Sequence, residues 1–295
     1  MSNSWRLFYF CIMNVILFDD PEFRLNLLPL TYTRPVGDLR IGIFKISEKW
    51  EKYLQTKPSF KTEEYLSKKY LPVNTKDAIY INGSVCPSPK LVSAIEKLEN
   101  GNALVQSDVL IAYRNEAKVK HNFNEDLTIL RHTWDIFRNN GKELRLDFDI
   151  IKNSGKSIGI NDPHTRVYNA DNIFIEEGAK IYAAILNAEN GPIYIGKDAE
   201  VHEGAMIRGA FALCENAVVN MGGKMRGDNT IGPYSKVGGE VSNSVIQGYS
   251  NKAHDGFMGN SVIGEWCNFG ADSNTSNLKN NYTDINICLL YTSDA

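Results

Sequence analysis

The chain carries no surplus of charge: Lys+Arg number 32 against 35 Asp+Glu, a net charge of -3 over 295 residues. No block of Lys or Arg breaks that balance, so nothing marks a nucleic-acid footprint or a membrane surface. Cysteine is sparse. Its five copies (Cys11, Cys86, Cys214, Cys267, Cys288) are odd in number and lack CxxC spacing. That argues against a disulfide framework or a zinc site and suits a reducing cytoplasm. Long apolar runs are missing as well. Leu7–Phe18 is too short to cross a bilayer, and it runs into Asp19-Asp20 without a small-residue cleavage pattern. With 43% hydrophobic and 23% charged residues, the composition is that of a globular protein and excludes collagen, coiled coil and wholesale disorder. The length accommodates about two domains at ~150 residues each.

What the chain does have is a rhythm. Ile195, Val201, Ile207, Leu213, Val219, Met225, Ile231 and Val237 fall at every sixth residue. Four positions after each stand Ala199, Ala205, Phe211, Ala217, Gly223, Asn229, Ser235 and Val241, mostly small or turn-tolerant. Ile175 and Ile181 begin the pattern, Ile263 and Phe269 resume it, and insertions are expected around Leu186–Pro192 and Asn243–Gly259. Neither helix nor hairpin repeats at six. A parallel β-helix does, with a short strand and a tight turn on each face.

The first half reads as α/β. Val15–Phe18, Ala78–Ile81 and Ala103–Val105 are short apolar runs, as in buried parallel strands. Between the last two, Ser88 can cap a helix, Pro89 suits its first turn, Leu91, Val92, Ile95 and Leu98 make one face, and Gly101 can end it. A second helix is expected to carry Ile43, Ile46, Trp50 and Tyr53, and Asn139-Asn140-Gly141 is expected to turn the segment that joins the halves. Ligands of such sheets sit beyond the strands' carboxyl ends, which points to Asp19, Asp20, Asn82, Gly83 and Ser84. Arg34 and Arg40 are candidate phosphate partners, because a guanidinium matches two phosphate oxygens.

The order of parts, together with FDDPEFRLNLLPLTYTRPVGDLRIGIFKISEKW (18–50), INGSVCPSP (81–89) and YSNKAHDGFMGNSVIGEWCNFGADSNTSNLKNNY (249–282), resembles the GlmU-type enzymes. These join N-acetylglucosamine-1-phosphate uridylyltransferase to glucosamine-1-phosphate N-acetyltransferase; the likeness is to their divergent branch known chiefly from Bacteroidetes-type bacteria. The resemblance implies a nucleotidyltransferase-like (Rossmann-like) α/β domain over 13–156. A left-handed parallel β-helix follows over 157–287 and assembles as a homotrimer. It implies glucosamine 1-phosphate, UTP and acetyl-CoA as small-molecule partners, with Mg²⁺ at the nucleotidyl site.

By the same resemblance His254 is the base that takes the amine proton. Asn268 and Asn277 contact the amino sugar, and the Ala271 backbone N–H serves the thioester oxygen. The family's phosphate-binding lysine has no match near Ser242, which leaves Lys236 or Lys252. Phe257 stands in place of a sugar-binding tyrosine. In the first domain Arg34, Arg40, Asn82 and Gly83 are the nucleotide candidates. Ser84 replaces the usual metal-binding Asp, so Mg²⁺ falls to Asp19, Asp20 or a residue that the sequence does not identify. Two other readings are a hexose-1-phosphate nucleotidyltransferase with a trimerising β-helix, and a non-catalytic nucleotide- or sugar-binding scaffold.

Residues 1–12 read as translation upstream of a start at Met13, and CLLYTSDA (288–295) as a sequencing-adapter tail. In hexapeptide acyltransferases CoA lies between subunits along later coils. A chain lacking those coils is expected to bind acetyl-CoA poorly and to aggregate through an open coil edge.

Overall fold

A computed structural model describes residues 14–71, 75 and 77–275. The two terminal readings and Asn277 lie outside the described residues. The chain divides into two compact units that interleave in sequence. Among the described residues, the first comprises 14–24, 33–38 and 46–129; the second holds Leu25–Tyr32, Leu39–Lys45 and residues 130–275.

The first unit is a six-stranded sheet. Its strands are β1 (Asn14–Phe18), β2 (Ser59–Lys61), β3 (Ala78–Asn82), β4 (Asn102–Gln106), β5 (Val109–Arg114) and β6 (Val119–Asn122), in the order β2-β1-β3-β5-β4-β6. The expected strands are all present. The sheet is mixed rather than wholly parallel, because β5 runs antiparallel to both β3 and β4. The tight Ser107 turn, with φ of 53°, returns the chain at once and leaves no room for a crossover. Val15, Leu17, Ile79, Ile81 and Ile111 are buried, each worth roughly 1.5–3 kcal/mol against exposure.

Helix α1 (Pro21–Asn26) follows β1, α2 (Ile46–Leu54) precedes β2, and α3 (Pro89–Glu96) connects β3 to β4. Ser88 caps α3 by accepting the Leu91 N–H, as its sequence implies. The helix ends before Gly101, which instead supplies a left-handed turn into β4. Ile43 is not part of α2; it belongs to the second unit.

The second unit is a parallel β-helix of three walls. Wall one stacks Arg166–Tyr168, Ile185–Asn187, Met206–Arg208, Lys224–Arg226, Glu240–Ser242 and Phe257–Gly259. Wall two stacks Ile173–Ile175, Ile193–Ile195, Phe211–Leu213, Asn229–Ile231, Val245–Gly248 and Val262–Glu265. Wall three stacks Lys180–Ile181, Glu200–Val201, Val218–Val219, Lys236–Val237 and Asn251–Lys252. Every strand pairs in parallel with the strand one coil away, which is the arrangement expected of the left-handed hexapeptide fold. The eight sixth-residue aliphatics all lie in its core.

The segment Asn243–Gly259 is not an insertion. The inward series runs on through Val241, Ile246, Lys252 and Met258, with two steps shortened. The repeat loses residues at its corners, and the missing residues shift the phase without breaking the coil.

Asn139-Asn140-Gly141 does not turn either. It lies inside α4, a helix of 22 residues spanning Thr133–Ser154. The Asn140 side chain is spoken for: its oxygen accepts the Gly42 N–H and the Thr230 hydroxyl, and its amide donates to the Asp228 carbonyl. Gly141 leaves space for the Asp228 carboxylate, whose Oδ1 would stand 2.4 Å from a Cβ there. Leu144, Phe148 and Ile151 of α4, with Ile43, cover Phe174, Tyr194 and Ala212 on wall two and Ala210 just before its third strand. Tertiary bonding thus overrides the turn preference of these three residues.

Candidate functional site

Two places answer the sequence expectations. The first lies at the carboxyl ends of β1 and β3, which are level because Phe18 pairs with Asn82. Gly83 donates its N–H to the Phe18 carbonyl at 2.8 Å. A Cβ on Gly83 would meet the Gly37 nitrogen at 3.0 Å, so the loop Thr33–Asp38 packs directly on the strand ends. Asp19 reaches into that loop: its Oδ1 accepts the Val36 N–H at 2.8 Å, and its Oδ2 accepts the Arg24 guanidinium at 2.8 Å and the Thr62 hydroxyl at 2.5 Å. Burial pushes the Asp19 carboxyl above its ordinary value, against the pull of Thr62, Val36 and Arg24. Asp20 accepts the N–H groups of Glu22 and Phe23 and starts α1.

Arg24, which sequence reasoning passed over, organises this end of the sheet. Besides Asp19 it donates to the Arg34 carbonyl and to the Tyr65 hydroxyl. Arg34 is itself buried, with its guanidinium 4.0 Å from Asp38, and Asp38 accepts the Tyr70 hydroxyl at 2.8 Å. Asn82 is fully buried, donating to the Leu110 carbonyl and accepting from the Ser84 N–H and hydroxyl.

Arg34, Asn82, Gly83, Asp19 and Asp20 therefore share one end of the first unit. Arg40 does not join them. It belongs to the second unit, where its N–H bonds Gln247 and its guanidinium bonds the Ile43 carbonyl and the Cys214 sulfur. The residues do not fit Mg²⁺ as they stand, because Asp19 is saturated by three donors, one of them cationic, and Asp20 caps a helix. Among the described residues no group of three or more His, Cys, Asp or Glu could hold a metal ion.

The second place is the corner between walls three and one. In the coil below, this corner is Asn220-Met221-Gly222-Gly223; in the next it shrinks to Gly238-Gly239. In the coil after that it is Ala253-His254-Asp255-Gly256. The shrinkage opens a gap in the stack, and three features close over it. Gly238 and Gly239 let the upper loop descend: Cβ atoms there would lie 2.4 Å from the Ala253 oxygen and 2.6 Å from the Gly256 oxygen. Asn220 reaches past the missing residues to donate to the Ala253 carbonyl at 2.9 Å.

Lys252 is the third feature. It occupies the inward slot that Val237 fills one rung below, and it is 2% exposed. Its ammonium donates to the carbonyls of His254 and Asp255, at 2.6 and 3.2 Å. Burial pulls the Lys252 pKa below its ordinary value, while Asp255 and Asp272 oppose that fall. From above, the Ser273 oxygen would stand 2.4 Å from a Cβ on Gly256, and the Asn274 side chain accepts the Phe257 N–H at 2.7 Å.

His254 rides on this pinned loop with its side chain exposed, and among the described residues no hydrogen bond or ion pair engages its imidazole. Asn268 is exposed one rung above Asn251, and Ala271 is exposed beyond it. Lys236 is exposed on wall three, whereas Lys252, the other lysine candidate, points inward. The inward lysine was hidden from sequence reading by the phase shift. A charged residue six positions after Ile246 is the signal that could have found it.

Residues 15–156 match the family model described as sugar nucleotidyl transferase. No curated protein matches the chain. The family match relates the first half of the chain to nucleotidyltransferases and supports a transferase in sugar-nucleotide synthesis. It ends just beyond α4, before the coils that carry His254. Among the described residues no helix is long and apolar enough to cross a membrane.

Proposed function

We propose that the protein makes UDP-N-acetylglucosamine in two steps on two sites. The β-helix transfers the acetyl group of acetyl-CoA to glucosamine 1-phosphate, and the first domain transfers UMP from UTP to the product, releasing pyrophosphate. The observation that carries the first step is the exposed imidazole of His254, without a partner among the described residues, on a loop fixed from below by Lys252 and from above by the next coil. A base near neutral pH, held on a rigid scaffold and open to solvent, is what amine acylation requires.

In this reading the sugar amine attacks the thioester carbon while the imidazole takes its proton. The oxyanion rests on the Ala271 N–H, then collapses and expels the CoA thiolate. Asn268 and Asn277 orient the sugar, and Lys236 is the candidate for its phosphate. Phe257 offers the sugar a face without a hydroxyl. Homotrimerisation and a cytoplasmic location belong to the same proposal.

One observation favours a second reading for the first domain. Its strand ends are covered by the chain's own Thr33–Asp38 loop, and Asp19 is already neutralised by Arg24. This supports a first domain that holds structure or binds nucleotide without turning it over.

The test is His254→Ala in the whole protein, assayed for thiol release from acetyl-CoA with glucosamine 1-phosphate and separately for pyrophosphate release from UTP. Loss of acetyl transfer by about 10²–10⁴-fold with uridylyl transfer intact is the expected result. Undiminished acetyl transfer removes His254 from the mechanism. Absence of pyrophosphate release from the parent protein selects the second reading.

A further inference from the structure

The corner between walls two and three carries a feature that the proposed acetyl transfer does not use. On every coil one residue of this corner stands in the left-handed region. On the lower coils it is Gly178, Asp198 or Asn216; above them it is Tyr234, Tyr249 and Trp266, with φ of 57°, 50° and 62°. Glycine, aspartate and asparagine accept that backbone readily, whereas a bulky side chain is strained there. Three successive coils thus bear a strain that the three below them avoid. Strain held this way is a mark of a functional position.

Burial does not offset the strain, because all three rings are exposed. They stack on one another in a column. The centroids of Tyr234 and Tyr249 are 5.3 Å apart and those of Tyr249 and Trp266 5.0 Å, with planes within 5° and 11° of parallel. The rung spacing of a parallel sheet is about 4.8 Å, so the coils themselves set the stack and hold it rigid. Trp266 has Tyr249 against one face. With 78% of the residue still exposed, its opposite face is bare. Charge narrows what can lie on that face. Residues 245–251 and 262–268 contain no Lys or Arg, so these two rungs supply nothing to meet a phosphate. They do supply Asn251, half-exposed, whose side-chain amide has no partner among the described residues and offers both a donor and an acceptor.

We propose that this column binds an uncharged pyranose unit of a saccharide. The axial C–H bonds on the flat side of a pyranose carry partial positive charge and match the negative face of the indole. The ring hydroxyls then point sideways, where the Asn251 amide and the Tyr249 phenol can serve them. A nucleotide would stack as well but would leave its phosphates without a cation. The rings are already fixed against one another, so little remains to be ordered on binding. The column uses none of the residues assigned to acetyl transfer, so the inference stands or falls apart from that proposal.

The test is ligand-detected NMR titration of the whole chain with cellotriose, mannitol and AMP, in the parent, Trp266→Asn, Trp266→Phe and His254→Ala. Asparagine is at ease in left-handed backbone, so Trp266→Asn should keep or raise the thermal unfolding midpoint, which also shows that it folds. The expected result is weak binding of cellotriose, with saturation strongest at its axial C–H protons. Affinity should fall roughly tenfold or more in Trp266→Asn, be partly retained in Trp266→Phe and stay unchanged in His254→Ala. Undiminished binding in Trp266→Asn, or no binding of cellotriose to the folded parent, overturns the site. A midpoint in Trp266→Asn well below the parent's makes the column a structural prop and overturns the strain argument. Equal binding of mannitol, which has hydroxyls but no ring, or tighter binding of AMP overturns the assignment to a pyranose. Self-association in sedimentation that Trp266→Asn abolishes and cellotriose leaves untouched gives the face to a second copy of the chain and overturns it too.

Discussion

Replacing Gly141 by alanine should destabilise the protein, although helix propensity alone predicts a gain of about 1 kcal/mol. The added Cβ would stand 2.4 Å from Asp228 Oδ1, 2.5 Å from its Cγ and 2.8 Å from Oδ2. The carboxylate has few places to go. Its own backbone is in the left-handed region at φ 51°, its carbonyl accepts from Asn140, and its Oδ1 is paired with Arg145. Overpacking of this kind costs about 1–3 kcal/mol, and loosening a half-exposed ion pair adds about 0.2–1 kcal/mol. Set against the propensity gain of about 1 kcal/mol, the net loss is about 0.2–3 kcal/mol. In an Asp228→Gly background, where glycine accepts the left-handed backbone, the clash is gone and Gly141→Ala should stabilise by up to about 1 kcal/mol. Urea unfolding followed by circular dichroism measures all four corners of the cycle at constant slope. A rise in midpoint for Gly141→Ala in the parent chain, or the same shift in both backgrounds, refutes the reasoning.

Arg24→Ala should cost about 3–5 kcal/mol, because it strands the Asp19 carboxylate in a buried site; thermal unfolding reads this directly, and a loss under about 1 kcal/mol would mean the pair is not buried as described. Lys252→Met keeps the stem in the core and frees the loop carbonyls of His254 and Asp255 to turn to water. Stability should change by less than about 1 kcal/mol near neutral pH, while the proposed acetyl transfer falls tenfold or more and its pH profile shifts. Because burial lowers the Lys252 pKa, the unfolded chain binds the extra proton below about 10.5. The parent should therefore gain stability relative to Lys252→Met as pH climbs toward that value, and a parallel pair of stability curves would contradict the burial argument. Gly239→Ala places a Cβ 2.6 Å from the Gly256 oxygen at φ 68°, and should lower the unfolding midpoint by the equivalent of about 2 kcal/mol.

The solenoid core was readable because each inward aliphatic serves one purpose and repeats it. Ile195 through Val237 recur at a fixed step, and all are buried. The same regularity hid the structure of the His254 corner. Once Gly238-Gly239 drops residues from the coil, a reader counting by six sees an insertion, and the inward Lys252 looks like a surface charge near a histidine. The strands of the first unit and the Ser88 cap were legible because they rest on local pattern. The interior Asn140-Gly141 of α4 was not, because its stability comes from Gly42, Asp228 and Thr230, which are distant in sequence. Arg24 and Asp38 escaped for a related reason: a charge buried against its own partner, Asp19 for the one and Arg34 for the other, looks in sequence like any surface charge. Arg34 and Arg40 stand six residues apart, yet the chain leaves one compact unit for the other between them.

That crossing bears on how the molecule can be taken apart. Residues 25–32, 39–45 and α4 all belong with the coils, so a fragment starting at 157 would be stripped of Ile43, Leu144, Phe148 and Ile151. Phe174, Tyr194, Ala210 and Ala212 would then meet solvent as one greasy strip along a flank of the prism. The complementary fragment, ending at 156, would carry α4 without anything to lie against. Scissors applied at the family boundary would yield two sticky halves, so any attempt to assign one activity to each must disable residues and leave the polypeptide uncut.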